Sequence, residues 1–172
     1  MAAVRGKDTK PELLIRRGLH RLGFRYRLQA KDLPGRPDLV LPKHRAVIFV
    51  HGCFWHGHDC SLFRLPGTRT QFWDQKISSN RERDRRNLVA LGEVGWRTGI
   101  VWECALRGRG SPGIEPVLEH LMDWLQADTP AIVLDSKSIG KRNMRTSGPG
   151  QSTLPANPGN SRTRRATVRR QA

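Results

Sequence analysis

Long apolar runs are absent from this sequence of 172 residues. No stretch approaches the roughly 20 apolar residues that cross a bilayer, and the opening residues, "MAAVRGKDTK", contain no apolar segment of the signal-peptide type. These absences argue against an integral membrane protein and against a secreted one, so we expect a cytoplasmic location. The length suits one globular domain with a modest core.

Cysteine is also scarce, with only Cys53, Cys60 and Cys104 in the whole chain. An odd number of thiols in a reducing compartment argues against a framework of structural disulfides. The three cysteines therefore indicate either metal binding or plain burial.

Acidic residues are few, because 15 Asp and Glu stand against 31 Lys and Arg and the formal net charge is +16. Such a field attracts polyanions, so nucleic acid is the expected partner. A solvated basic surface or a ribosome-associated tail is the alternative that composition leaves open.

Apolar side chains become rare from about Asp135 onward. The last part of the chain is rich in Ser, Gly, Pro, Asn and Arg, and such a segment cannot offset the entropy lost on ordering. We therefore expect one folded domain over residues 1–127 and a basic, disordered tail over residues 128–172.

Hydrophobic periodicity predicts an α/β domain with a mixed central sheet flanked by helices. A first helix, capped by Asp8 or Thr9, carries Ile15, Leu19 and Leu22 on its buried stripe. The second and third predicted strands form a hairpin, and the third is apolar on both faces. The other elements are predicted as strands in "FRYRLQA", "RPDLVLP", "RAVIFVHG" and "WRTGIVWECAL", a helix over residues 70–93 and a closing helix in "GIEPVLEHLMDWLQ".

The stretch "HGCFWHGHDC", residues 51–60, predicts a metal site. Cys53, His58 and Cys60 follow a predicted strand, and Cys104 ends a later one. Three thiolates and one imidazole are a set that Zn²⁺ binds tetrahedrally. Four protein ligands leave no position for water, so this zinc would be structural. Three buried cysteines beside an incidental histidine are the alternative.

Two histidines and three acids remain as candidates for catalysis. His51 and His56 are free of the zinc set, and a neutral imidazole can accept a proton from water. Glu12 and Asp84 lie on helix faces that should be buried, where a carboxylate requires a partner. Asp38 begins a strand beside the one that ends at His51. We expect Glu12 and Asp38 around a Mg²⁺ ion and Asp84 behind His56, although a Pro-Asp pair is more often a turn.

Five segments together carry a resemblance to a known family: "LPGRPDLVL", "VIFVHGCFWHGHDC", "TRTQFWDQKI", "NRERDRRN" and "GWRTGIVWECALRGR". On these segments the chain resembles the very short patch repair (Vsr) mismatch endonucleases over about residues 4–110. The resemblance implies a restriction-endonuclease-like α/β fold with a structural zinc. It also implies a nick 5′ to the thymine of a T·G mispair, which arises when 5-methylcytosine deaminates.

The same resemblance implies metal ligands. Asp38 and the backbone carbonyl of Val50 would bind Mg²⁺, and Glu12 would hold water at the metal. The family's zinc set matches Cys53, His58, Cys60 and Cys104.

It implies catalytic roles as well. His56 would be the general base that activates water. Asp84 would orient the His56 ring, and His51 would assist at the phosphate.

DNA contacts are implied for five residues. Phe54, Trp55 and Trp73 would enter the base stack beside the mispair, where stacking on aromatic rings offsets the cost of unstacking. Lys76 and Asn80 would read the mispair. Without the resemblance, Phe54 and Trp55 would be interpreted as core residues and the two polar residues as solvated surface.

Three features depart from the family pattern. Family members carry a further basic N-terminal segment, so we expect weaker clamping of DNA or a start codon upstream of Met1. Gly57 and Asp59 stand where the family often has His. The Arg-rich tail has no clear counterpart and is expected to add non-specific DNA affinity.

Three hypotheses follow. The first is a Mg²⁺-dependent, zinc-containing endonuclease that nicks one strand at T·G mispairs. The second is a restriction-type endonuclease that cuts matched duplex, which the aromatic wedge argues against. The third is a zinc DNA-binding module without catalysis, which leaves Glu12, Asp38 and His56 without a role. We expect a monomer that binds double-stranded DNA, with repair proteins as further partners.

Overall fold

The computed structural model of the protein describes residues 8–28 and 30–140. Within this part, five strands form one mixed sheet in the order β1-β2-β3-β4-β5, and helices pack on both of its faces. The predicted α/β class with a mixed sheet is confirmed. The elements are α1 (Lys10–Arg21), β1 (Arg27–Leu28), β2 (Leu39–Leu41), a 3₁₀ turn (Pro42–His44), β3 (Ala46–His51), α2 (Thr70–Glu93), β4 (Arg97–Trp102), α3 (Glu103–Leu106), α4 (Ile114–Gln126), β5 (Ala131–Leu134) and α5 (Ser136–Gly140).

The central strand β3 is apolar on both faces, as its sequence predicts. Side chains alternate along a strand, so Ala46 and Ile48 join the core beneath α1 and α4, whereas Val47 and Phe49 join the core beneath α2. β3 pairs antiparallel with β2, which confirms the hairpin, and parallel with β4. The sheet is thereby enclosed between two helical layers.

Helix α1 begins with a reciprocal cap. The Thr9 hydroxyl accepts from the Glu12 backbone N–H at 3.4 Å and donates to the Glu12 carboxylate at 2.9 Å. Ile15 and Leu19 are fully buried, but Leu22 is 47% exposed. The prediction for Leu22 was wrong because this residue is the C-cap, where the chain leaves the helix and its stripe.

Two predicted strands are shorter than their apolar patterns indicate. In "FRYRLQA" only Arg27–Leu28 pairs with β2, because Phe24 packs into the core and the Tyr26 hydroxyl donates to the Arg16 carbonyl at 2.9 Å. In "WRTGIVWECAL" the strand ends at Trp102, and the following residues start the short helix α3.

Residues 128–140 were assigned to the tail by composition, and the structure corrects this interpretation. β5 pairs parallel with β4 at the edge of the sheet, and α5 follows it. The segment "AIVL" is short and half exposed, with Val133 51% exposed, so its pattern is too weak to predict a strand. The rest of the predicted tail, residues 141–172, lies outside the described residues.

The helices within the described ranges are all too short or too polar to cross a membrane.

Candidate active site and metal centre

Asp38 lies at the start of β2, beside the end of β3. Its Oδ2 accepts the Val50 backbone N–H at 2.7 Å. In a strand, a residue's N–H and C=O point to the same edge, so the Val50 carbonyl belongs to the edge that Asp38 occupies. Burial, with a smaller contribution from the charge of Glu12, raises the pKa of Asp38 from 3.8 to about 6 despite the bond from Val50.

Glu12 reaches the same cleft from α1 and is almost completely buried. Arg16, one turn later and equally buried, donates from Nη2 to Glu12 Oε2 at 2.8 Å and also pairs with Asp8. The Asp8 backbone N–H donates to the same Oε2 at 3.1 Å. The buried carboxylate predicted at the core edge therefore has a buried cationic partner, as the cost of burying a lone charge requires.

His56 and Asp84 form the second half of the cleft. His56 Nδ1 and Asp84 Oδ2 are hydrogen-bonded although 28 positions separate them. Burial raises the pKa of Asp84, but the hydrogen bond and charge of His56 outweigh it and hold the pKa below its usual value. An ionised Asp84 keeps the proton on His56 Nδ1 and leaves Nε2 as the free nitrogen.

His51 ends β3 and stacks on His56. The two rings are parallel within 4°, with centroids 3.9 Å apart. Burial, assisted by the charge of His56, lowers the pKa of His51 to about 3. His51 is therefore a neutral imidazole at physiological pH.

These elements meet in one cleft at the carboxyl end of β3. Its lining includes two exposed arginines, Arg36 and Arg83, in addition to the acidic and imidazole side chains. The structure thus brings together the whole predicted catalytic set: Glu12, Asp38, Val50, His51, His56 and Asp84.

A cluster of four sulfur and nitrogen ligands lies next to this cleft. β3 and β4 are parallel neighbours in which His51 pairs with Trp102. Cys53 and Cys104 each follow that pair by two residues, so the strand register alone places them side by side. His58 and Cys60 complete the cluster from the loop after β3, and one ligand atom from each residue lies within 4.8 Å of the other three.

The spacing of the cluster fits a metal ion. His58 Nδ1 lies 3.8 Å from Cys53 Sγ and 3.6 Å from Cys104 Sγ. Tetrahedral zinc bonds of about 2.3 Å to sulfur and about 2.0 Å to nitrogen would put a sulfur and a nitrogen ligand roughly 3.5 Å apart. Burial raises the pKa of the Cys53 thiol, and a bound cation would reverse this effect. The residues present therefore fit a metal ion held by four protein ligands.

Five aromatic side chains from the loop after β3 and the start of α2 form a second cluster. Phe54, Trp55 and Trp73 meet one another edge-to-face, with ring centroids 5.3 to 6.0 Å apart for the two pairs that include Trp73. All three rings are half-buried rather than core residues. Phe63 and Phe72 extend the cluster, and Phe72 is 51% exposed. A partly exposed patch of aromatic rings is a surface on which bases can stack.

Lys76 and Asn80 differ in their surroundings although both follow Trp73 on α2. Lys76 is exposed. Asn80 is buried, donates from Nδ2 to the Trp55 carbonyl at 2.9 Å, and accepts from Arg83 at 3.1 Å. In this structure the Asn80 amide fixes the aromatic loop to the helix, and its predicted contact with DNA stays a prediction.

Comparison with known proteins decides the family. The model of the family described as DNA mismatch endonuclease Vsr matches residues 1–62. The DNA mismatch endonuclease Vsr of Escherichia coli K12 is 47% identical over 81% of this chain and 89% of its own. The type II nicking enzyme V.XorIIP of Xanthomonas oryzae pv. oryzae is 49% identical over 72% of this chain and 89% of its own. The chain belongs to the Vsr family.

The departures from the Vsr pattern have a structural reason at residue 57. Gly57 has φ +62°, and a Cβ there would lie 2.5 Å from the Ile77 side chain on α2. A side chain at this position of the chain would therefore collide with α2. Asp59 is fully exposed and pairs with Lys137 at 3.0 Å, so it is not part of the ligand cluster.

Three residues of this Vsr site were not predicted. Arg16 holds Glu12, Asp135 accepts from His58, and Trp102 stacks on His58 with centroids 4.2 Å apart. Arg16 could have been found, since Glu12 lies four residues before it on the same face. Asp135 is 77 positions from His58, and no pattern in the sequence links them.

Proposed function

We propose that this chain is a DNA endonuclease that nicks one strand of a duplex 5′ to the thymine of a T·G mispair. The observation that carries the proposal is the cleft itself, where the His56–Asp84 pair shares one lining with Asp38 and Glu12, next to a partly exposed aromatic cluster. Membership of the Vsr family supports the assignment to DNA endonucleases.

His56 is the general base. Its Nδ1 is engaged by Asp84, so Nε2 accepts the proton when water attacks the phosphorus atom. Asp84 keeps the imidazole in this tautomer and stabilises the imidazolium that forms. His51 remains neutral and supports the His56 ring through the parallel stack while it offers a hydrogen bond at the phosphate.

Asp38 and the Val50 carbonyl would hold Mg²⁺. Oxygen ligands suit this ion, and a cation in the cleft would relieve the unfavourable burial of the Asp38 charge. When bound, Mg²⁺ stabilises negative charge on the attacking and leaving oxygens. Glu12, fixed by Arg16, accepts hydrogen bonds from water at this edge of the cleft.

The thiolate and imidazole cluster would hold Zn²⁺ in a structural role. All four ligands come from the protein, which leaves no position for substrate. Bound metal would tie the loop that carries Phe54, Trp55 and His56 to the end of β4, where Cys104 lies.

Phe54, Trp55 and Trp73 would insert beside the mispair. Unstacking a base step costs about a few kcal/mol, and each base stacked on an aromatic ring returns roughly 1–3 kcal/mol. A mispaired base is easier to unstack than a paired one, so the exchange favours T·G over intact DNA. Lys76 and Asn80 read the mispair in this proposal. The proposal also has the protein act on DNA as a monomer, in the cytoplasm.

A nicking assay tests the proposal. Labelled duplexes with one T·G mispair, or with the matched pair, are incubated with Mg²⁺ or with EDTA. Nicking of the mispaired duplex only, and only with Mg²⁺, supports the proposal. Cleavage of matched duplex at a similar rate indicates a restriction-type enzyme, and binding without cleavage in every lane indicates a DNA-binding module.

A further inference from the structure

Asp135 occupies the junction between β5 and α5, and its two carboxylate oxygens have different partners. Oδ1 accepts the backbone N–H groups of Lys137 at 2.8 Å and Ser138 at 2.6 Å, which caps the start of α5. Oδ2 accepts from His58 Nε2 at 3.2 Å. One side chain therefore both starts the last described helix and contacts a residue of the metal cluster.

The contact with Asp135 selects the orientation of the His58 ring. Nδ1 faces the sulfurs of Cys53 and Cys104, so Nδ1 must offer its lone pair to a metal and the proton must reside on Nε2. Asp135 accepts that proton, and Trp102 covers one face of the ring in a stack within 16° of parallel. A carboxylate behind a ligating histidine fixes the tautomer and strengthens the ligand.

A second link joins the same two segments at the surface. Lys137 Nζ donates to the Asp59 carbonyl at 2.9 Å and to its carboxylate at 3.0 Å. Asp59 lies between His58 and Cys60 in the chain. Because both partners are exposed, this pair contributes little to stability by itself. It joins the same two segments as the contact between Asp135 and His58.

We infer that Asp135 is a positioning residue for the metal centre, and that bound metal in turn fixes residues 131–140 to the loop at residues 53–60. The inference rests on the proposed metal at Cys53, His58, Cys60 and Cys104, and not on the proposed nicking activity. Through Asp135 the edge strand β5 becomes part of the metal centre's support.

Zinc affinity tests the role of Asp135. Purified full-length protein with Asp135→Ser is titrated with Zn²⁺ against a chromophoric chelator. Serine also caps helices, so α5 is retained, but its side chain is too short to reach His58. We expect zinc to bind roughly 10- to 100-fold more weakly than in the parent. Asp59→Asn, which removes only the exposed pair with Lys137, serves as the control and should change the affinity less than twofold.

Hydrogen exchange gives a readout that needs no variant. Removal of zinc from the parent protein should accelerate amide exchange in residues 131–140 more than in α4. No acceleration in residues 131–140, or an unchanged zinc affinity in Asp135→Ser, would overturn the inference. Failure of the parent to bind zinc at all would instead refute the proposed metal centre, and neither result depends on nicking.

Discussion

The imidazole of His56 has one nitrogen engaged and one free, and this division determines what the side chain can do. The Asp84 carboxylate accepts from Nδ1, so the proton acceptor in the proposed reaction is Nε2. Neutral His51 stacks on the ring and adds no competing charge.

Removal of the His56 imidazole tests this assignment at the level of a single residue. We expect His56→Ala to lower the single-turnover nicking rate by about 10²- to 10⁴-fold, the usual contribution of a general base. Asp84→Asn should cause a smaller loss, because the ring remains but its tautomer is no longer fixed. Zinc content should stay at the parent level in both variants.

His20→Ala is the matched control, since His20 is exposed near the end of α1. It should nick at the parent rate. A rate for His56→Ala within threefold of the parent would refute the role of general base.

Asp38 lowers the stability of the fold at neutral pH. Its pKa is raised from 3.8 to about 6, so its contribution to the free energy of unfolding is fully present below pH 3.8 and is lost as pH rises through about 6. Asn carries no charge to bury. Without added Mg²⁺, we expect Asp38→Asn to equal the parent near pH 4 and to exceed it by up to about 3 kcal/mol at pH 7.5.

Urea denaturation across this pH range measures the difference between the two proteins. Other titrating groups, including His51, are common to both and cancel. Added Mg²⁺ should stabilise the parent and leave Asp38→Asn unchanged. A parent that is the more stable protein at pH 7.5 would contradict the unfavourable burial of the Asp38 charge.

At the residue scale, the sequence predicted the side chains that are in direct contact in the site. Asp84 lies on the buried face of α2 and needed a partner, and the pairing with His56 supplied it. The spacing of four residues from Glu12 permits a pair with Arg16, but the burial of that pair depends on how α1 packs on the sheet, which the spacing does not determine.

At the scale of elements, the parallel register of β3 and β4 positions residues of both the cleft and the metal centre. His51 pairs with Trp102, and the residues that follow each strand supply the cysteines of the metal centre. The hairpin that joins β2 to β3 places Asp38 at the same end of the sheet. Helix α2 was predicted with its bounds, and the hairpin was predicted with strands longer than the observed β2 and β3. β5 was missed because four residues at a sheet edge carry almost no periodic signal.

The loop that bears the aromatic cluster is fixed to α2 by one amide. Asn80 donates to the Trp55 carbonyl, and loss of this donor leaves the carbonyl without its partner. We expect Asn80→Ala to lower the free energy of unfolding by about 1–3 kcal/mol, measured by urea denaturation. Nicking should fall as well, because Trp55 and its neighbours lose their support.

Ser78→Ala, on an exposed position of the same helix, is the control and should leave stability and nicking near the parent values. Loss of discrimination between T·G and matched duplex in Asn80→Ala, with no change in stability, would contradict the loop-fixing role. It would leave the direct reading of the mispair, which is also proposed for Asn80, as the role of this residue.

On the scale of the whole molecule, charge determines how the enzyme meets its substrate. The chain carries a net charge of +16, and Arg36 and Arg83 line the cleft beside the catalytic groups. Composition predicted a polyanionic partner, but it could not show that exposed arginines border the cleft. Their position depends on how α2, which carries Arg83, and the chain before β2, which carries Arg36, meet at the cleft.

Salt dependence of DNA binding measures the contribution of one such residue. Arg36 is exposed at the mouth of the cleft, so we expect it to contact a phosphate. Arg36→Ala should then reduce the slope of log K against log salt by about 0.9. Arg21→Ala, an exposed change near the end of α1, should alter the slope less. An equal reduction in both variants would show that binding reflects net charge and not the cleft.

The most direct test of the account identifies the strand that is cut. A duplex with one T·G mispair is labelled separately on the T strand and on the G strand, incubated with the protein and Mg²⁺, and resolved at single-nucleotide length. The account predicts one product, from the T strand, that ends immediately 5′ to the mispaired thymine. Cleavage of the G strand, cleavage of both strands, or an equal product from the matched duplex would contradict it.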